Sequence, residues 1–197
     1  MTIYPREFYL KQLRPFYDSD LIKVITGIRR CGKSCLMQSV ALELKSKGVA
    51  EKDIVFLNLD KRGYKNIVTP DALEEAIDAK IVDEDFKYIF IDEIQNVEGF
   101  EPVINAYREE GNCSIFITGS NSYLLSGELV TKLTGRYVQI DMHTLSFDEF
   151  LSMKRFLGIE LHDNRIEFDE YLTRGGFPKV LEFSDTDVKF KYISEIV

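Results

Sequence analysis

The residues Gly27-Ile-Arg-Arg-Cys-Gly-Lys-Ser34 follow the pattern glycine, four residues of any type, glycine, lysine, hydroxyl. That pattern suits a chain of phosphates, which needs several backbone N–H donors converging with no side chain in the way. Gly27 permits a sharp exit from a preceding strand, and Gly32 lets the main chain approach the phosphates closely. The N–H groups of Arg30, Cys31, Gly32, Lys33, Ser34 and Cys35 are then expected to point inward, at the positive end of the helix that follows. Lys33 offers a compact charge for β- and γ-phosphates, and the Ser34 hydroxyl is placed to ligate Mg²⁺. An accidental match in such a chain is expected on the order of 1% of the time. A phosphate cradle is therefore preferred to a glycine-rich loop with an incidental lysine. Arg29 and Arg30 stand inside the loop, where they could meet a phosphate, a neighbouring subunit or local acids. Cys31 and Cys35 read as small fillers rather than redox groups.

A second chemical signal is Tyr88-Ile-Phe-Ile-Asp92-Glu93, an apolar run that ends in two acids. Asp92 is expected to hold Mg²⁺ through its water shell. Glu93 points elsewhere because strand residues alternate, so it can orient and partly deprotonate an attacking water. Acids also favour helix starts, so the pair alone is a weak sign. Its place 58 residues after the lysine–serine pair, with one strand between, makes it a strong one. Another apolar run, Ser114-Ile-Phe-Ile-Thr118, ends in Gly119-Ser120-Asn121. Thr118, Ser120 or Asn121 could sense a γ-phosphate, or the serine could simply cap a turn. Arg136 could reach a phosphate on the next protomer or pair with a local carboxylate. His143, alone near a strand end, reads as an ordinary half-buried histidine.

These groups need a frame that holds them. Leu21–Thr26, Ile54–Leu59, Tyr88–Asp92, Ser114–Thr118 and Tyr137–Ile140 are short, near-continuous apolar runs rich in β-branched residues, as parallel strands covered on both faces should be. Helices are expected over Ser34 to about Lys47, Ala72–Val82 behind the cap Thr69-Pro70-Asp71, Glu101–Glu110, and a segment near Ser126–Leu133. Strand alternating with helix implies right-handed crossovers and an open α/β sheet. The tail differs. Ser146-Phe-Asp-Glu149 is a capping box whose helix should run to Gly158. Phe168–Arg174 follows, then the breaker Gly175-Gly-Phe-Pro178. Residues 187–197 carry apolar positions 188, 192, 193 and 196 and stop without a cap. Such an end suggests a natural chain that continues; a frayed terminus is the alternative. The expected division is a core over 1–145 and a helical annex over 146–197.

Composition narrows the classes. A chain of 197 residues, 45% hydrophobic and 29% charged, suits one globular domain or a domain with a short annex. No stretch approaches the length of a membrane span, and the first residues lack an apolar secretory segment. Three cysteines are odd in number and form no CxxC pair, so a reducing, cytoplasmic setting is expected. The net charge of −8 argues against indiscriminate nucleic-acid binding. Residues 1–50 nevertheless hold nine Lys/Arg against four acids, so the basic excess sits where a polyanion should bind.

Taken in order, Ile22–Ser34, Phe90-Ile-Asp-Glu-Ile-Gln95, Ile117–Asn121, Leu133-Thr-Gly-Arg136, Leu145–Leu151 and Gly175–Pro178 resemble the AAA-type P-loop ATPases of bacteria and archaea. More narrowly, they resemble the group whose ATPase core precedes an uncharacterised, nuclease-like C-terminal domain. The resemblance implies a sheet of order 5-1-4-3-2 with helices on both faces. It implies ATP and Mg²⁺ as ligands, with Lys33 on the phosphates and Ser34 and Asp92 at the metal. Glu93 is implied as the water-activating acid and Arg136 as part of a glycine–arginine motif. ATP is preferred to GTP on this resemblance and because no NKxD motif is present. A homo-oligomer, and a DNA or protein partner reached through a further C-terminal domain, are left open. A nucleotide-dependent switch with little turnover is the alternative to an ATPase.

Overall fold

The computed structural model describes residues 3–119, 133 and 135–195. The five apolar runs become five strands: β1 (Ile22–Gly27), β2 (Ile54–Asn58), β3 (Lys87–Asp92), β4 (Cys113–Thr118) and β5 (Tyr137–Met142). All neighbours pair in parallel, in the order β2-β3-β4-β1-β5. This is the expected 5-1-4-3-2 sheet read from the other edge. Seven α-helices are described: α1 (Glu7–Leu13), α2 (Lys33–Ser46), α3 (Pro70–Asp78), α4 (Glu101–Glu110), α5 (Phe147–Phe156), α6 (Asn164–Arg174) and α7 (Thr186–Ser194). None of them is long and apolar enough to cross a membrane.

Strand alternation divides the core into two layers. Val24, Ile89, Ile91 and Ile117 face α3 and α4, against Leu73, Ile77 and Ile104. Ile25, Phe90, Phe116 and Ile140 face α1 and α2, against Leu10, Leu36, Met37 and Val40. Phe90 stacks on Phe56 at 5.5 Å and on Phe116 at 4.6 Å, tying three neighbouring strands on the α2 side. Phe90 and Phe116, both fully buried, each contribute roughly 1.5–3 kcal/mol. Asn58, Asp92 and Thr118 have the same parity as these phenylalanines, so the polar strand ends point toward α2.

Some elements depart from expectation. Helix α3 stops at Asp78 rather than Val82. The chain turns there, Lys80 and Ile81 donating to the carbonyls of Ile77 and Asp78. Asp83 then joins Asp53 on the buried Lys87 ammonium. Helix α1 is an addition, burying Tyr9, Leu10 and Leu13. Helix α6 begins at Asn164, capped by Asp163, four residues before the expected start. In α7 the apolar stripe is only partly covered: Val188 is exposed and Tyr192 and Ile193 are half-buried, while Lys189 is buried beside Glu170. The segment expected to be helical near 126–133 and the apolar position 196 lie outside the described residues, Leu133 excepted.

The C-terminal helices have their own apolar centre of Leu145, Phe150, Leu151, Met153 and Leu181, joined by Tyr4 from the start of the chain. Ser146 caps α5 through the expected box with Glu149. The Gly175-Gly176 break is explained by contact. Leu145 donates to the Gly176 carbonyl at 2.7 Å, and a Cβ on Gly176 would lie 2.3 Å from the Leu145 oxygen.

Candidate active site

The C-terminal ends of β1, β2, β3 and β4 meet around the start of α2. Gly27 leaves β1 with φ of +148°, and a Cβ there would sit 2.3 Å from the Met142 carbonyl oxygen and 2.9 Å from the Cys31 sulfur. Only glycine fits. Gly32 takes φ of +107° as the N-cap of α2, with no side chain capping the helix. The first-turn N–H groups of α2, at Lys33, Ser34 and Cys35, have no intrahelical carbonyl partner and mark the positive end of the helix dipole. Arg30 also adopts a left-handed backbone, with φ of 69°. Cys31 is fully buried beneath the loop, and burial pushes its thiol pKa up. Lys33 is buried and folds back, donating to the carbonyls of Gly27 at 3.0 Å and Ile28 at 3.3 Å. It spans the bend that a phosphate chain would fill.

Under this loop lies Asp92, with no solvent exposure. Its Oδ1 accepts from the Thr118 hydroxyl at 2.6 Å and its Oδ2 from the Asn58 amide at 2.6 Å. The Ser34 hydroxyl lies near enough to favour its charged form. Burial raises its carboxyl pKa and the Glu93 charge adds to this; the Thr118 hydrogen bond, the nearby Ser34 hydroxyl and the Lys33 charge oppose it without cancelling it. Glu93 turns away in a left-handed conformation, φ 60°. Its N–H donates to Thr118 Oγ1 at 3.0 Å, and its carboxylate accepts from the Gln95 amide at 2.5 Å. Thr118 thus links the two acids. The donors are hard oxygens, Ser34 hydroxyl and Asp92 carboxylate, which fits Mg²⁺. The buried Asn58 Oδ1 and Gln95 Oε1 have no hydrogen-bond partner.

Gly27, Arg30, Cys31, Gly32, Lys33, Ser34, Cys35, Asp92, Glu93 and Thr118 therefore come together. Ser120 and Asn121 lie outside the described residues. Arg136 does not join the group. It is exposed, and its carbonyl accepts from Ile22 where β1 begins, whereas the loop leaves the other end of β1. A six-residue strand separates them by roughly 16–20 Å. His143 lies after β5, its N–H donating to the Tyr9 hydroxyl at 3.0 Å.

Asn58 and Gln95 were missed in the sequence. Asn58 had the usable signal, since it is a polar residue ending an apolar strand, as Asp92 and Thr118 are. A cavity of about 300 Å³ also adjoins the loop, where Gly32 and Cys35 meet Tyr4, Met153, Phe156 and Pro178. Its lining comes from four distant parts of the sequence, so no local pattern announces it.

This architecture is that of a nucleotide-binding α/β domain, and comparison with known proteins gives the class. Residues 19–151 match the AAA domain family, and the chain belongs to it. It is 41% identical over 194 residues to an uncharacterized protein of Haemophilus influenzae, covering 97% of this chain and 48% of that protein. It is 32% identical over 182 residues to an uncharacterized protein of Methanocaldococcus jannaschii, covering 88% and 39%. The chain thus spans less than half the length of these curated relatives. Its fold is similar to AMPPCP-bound DnaA from Aquifex aeolicus, with a TM-score of 0.57 and 18% identity over 96% of this chain and 60% of that one. It is also similar to Hsp104 of Saccharomyces cerevisiae in a casein complex, with a TM-score of 0.57 and 14% identity over 99% and 40%. The family match and these likenesses together show an AAA-type P-loop fold.

Proposed function

We propose that this domain binds ATP with Mg²⁺ at the Gly27–Ser34 loop and hydrolyses it. The observation that carries the reading is the fully buried Asp92 beneath the loop, held by Thr118 and Asn58 and influenced by Ser34 and Lys33, with Glu93 next to it. On nucleotide binding Lys33 would exchange the Gly27 and Ile28 carbonyls for phosphate oxygens. Ser34 and Asp92 would hold Mg²⁺, whose charge offsets that of the phosphates. Glu93 would take a proton from the attacking water, and Thr118 would keep the two acids in fixed relation. The apolar cavity beside Gly32 and Cys35 is suited to a flat base.

Isothermal titration of ATP with Mg²⁺ against wild type and Lys33→Ala tests binding, with a loss of about tenfold or more expected. Equal affinities would overturn the reading. Glu93→Gln should bind ATP as wild type does and lose turnover by about 10²-fold or more; unchanged turnover removes Glu93 from the role.

A second reading, a nucleotide-dependent switch with little turnover, is favoured by one contact. The Arg30 guanidinium of the loop lies 4.9 Å from the Tyr192 ring of α7. Tight ATP binding with negligible steady-state turnover in the wild type would select it. On either reading residues 1–145 form the nucleotide core and 146–197 the annex that responds to it.

A further inference from the structure

Arg6 precedes α1 and is 5% exposed. Its side chain has five N–H donors in a rigid fork, and all five are used. Nε donates to Glu149 Oε1 at 2.9 Å and Nη2 to Glu149 Oε2 at 2.5 Å. Nη2 also reaches the Thr144 carbonyl at 3.1 Å, and Nη1 the His143 carbonyl at 2.7 Å. The fifth bond, from Nη1, goes to the carbonyl of Cys31 at 3.3 Å, inside the phosphate loop. A bidentate carboxylate fixes the guanidinium plane, so Glu149 decides where that last donor points.

The consequence follows from peptide geometry. In a trans peptide the C=O and the next N–H point in opposite directions. A Cys31 carbonyl held toward Arg6 turns the Gly32 N–H the other way, away from Arg6. Gly32, at φ +107°, has no side chain to set that orientation itself.

We propose that Glu149, on helix α5 and outside the site, is a positioning residue for the phosphate loop that acts through Arg6. The proposal rests on the ATP-binding reading above. The C-terminal helices then contribute to nucleotide affinity without α5 touching the phosphates, and any movement of α5 away from the loop would release the Gly32 peptide.

The test is Glu149→Gln in the full chain. Glutamine keeps the capping box with Ser146 but offers Arg6 one acceptor where the carboxylate offered two. Mg²⁺-ATP affinity is read by calorimetry, and stability by thermal melting without nucleotide. The expected result is a dissociation constant raised about three- to tenfold, with kcat within twofold of wild type. A merely structural role would lower the melting temperature and leave affinity alone; that outcome overturns the inference. If Glu149→Gln does not fold, Glu149→Asp replaces it. The shorter carboxylate cannot reach both Nε and Nη2, so weakened ATP binding again supports the proposal and wild-type affinity overturns it. Absence of ATP binding by the wild type would instead sink the functional reading and this inference with it. Wild-type binding that neither variant changes sinks this inference alone.

Discussion

Asp92 carries the sharpest conflict between stability and function. It is fully buried, and its carboxyl pKa lies above the ordinary carboxylate value, chiefly through burial. For an acid raised in this way the folded state holds its proton longer than the unfolded one. Stability therefore falls as pH rises from the ordinary value through the folded one. Asp92→Asn removes that charge. The new amide needs an acceptor, and Asn58 can supply its unpaired Oδ1 by turning its own amide over. The variant should melt about 2–4 °C higher without nucleotide, as expected for ~1 kcal/mol in a chain of this size, and bind Mg²⁺-ATP at least about tenfold more weakly. Destabilisation with intact binding would contradict both halves. That Lys33, Ser34, Asp92 and Glu93 would lie together was legible in the sequence, because their types and spacing follow one pattern. Asn58 and Gln95 were not, since an amide at a strand end or in a turn has many ordinary uses.

Strands were the easiest elements to read, and the reason is their burial. A central parallel strand is covered on both faces, so its sequence is a short apolar run with little alternation. Helices were legible where their apolar stripe faces the core and a glycine follows the last turn, as Gly48 does in α2 and Gly111 in α4. Helix α1 has no side-chain cap. Helix α6 buries Glu167 against Lys154 and exposes Ile166 and Leu172, a polarity that a search for apolar periodicity cannot find. A similar exception occurs in β1. Lys23 is fully buried on the α2 side, donating to Ser114 Oγ at 2.6 Å and the Ser19 carbonyl at 3.1 Å, with its ammonium 4.6 Å from the Phe116 ring. Burial brings its pKa down to about 8 from 10.5. Below about 8 both states hold the proton and the penalty is complete; between about 8 and 10.5 the folded state loses it first, so stability rises with pH. Lys23→Met lacks this titration. Urea melts should show wild type gaining on Lys23→Met by about 1–3 kcal/mol between roughly pH 7 and pH 10. A constant gap would mean that Lys23 titrates normally.

At the scale of the whole molecule the sheet sets what one chain can do alone. Because every strand is parallel, Gly27, Asn58, Asp92 and Thr118 share one end, and Arg136, which precedes β5, lies at the other. No side-chain rotation spans that sheet, so Arg136 can meet a triphosphate only on another copy. If it does, the unit of catalysis is a contact between two chains. Arg136→Ala should then bind Mg²⁺-ATP like wild type and turn it over about 10²-fold or more slowly, and wild-type turnover per chain should rise with protein concentration. Mixing separates this from a local defect. Glu93→Gln supplies Arg136 but lacks the base, and Arg136→Ala supplies the base but lacks the arginine. A pairing between them restores one complete site, so the mixture should hydrolyse ATP well above either variant alone. Turnover equal to the average of the two would place Arg136 outside the reaction and leave each chain to act by itself.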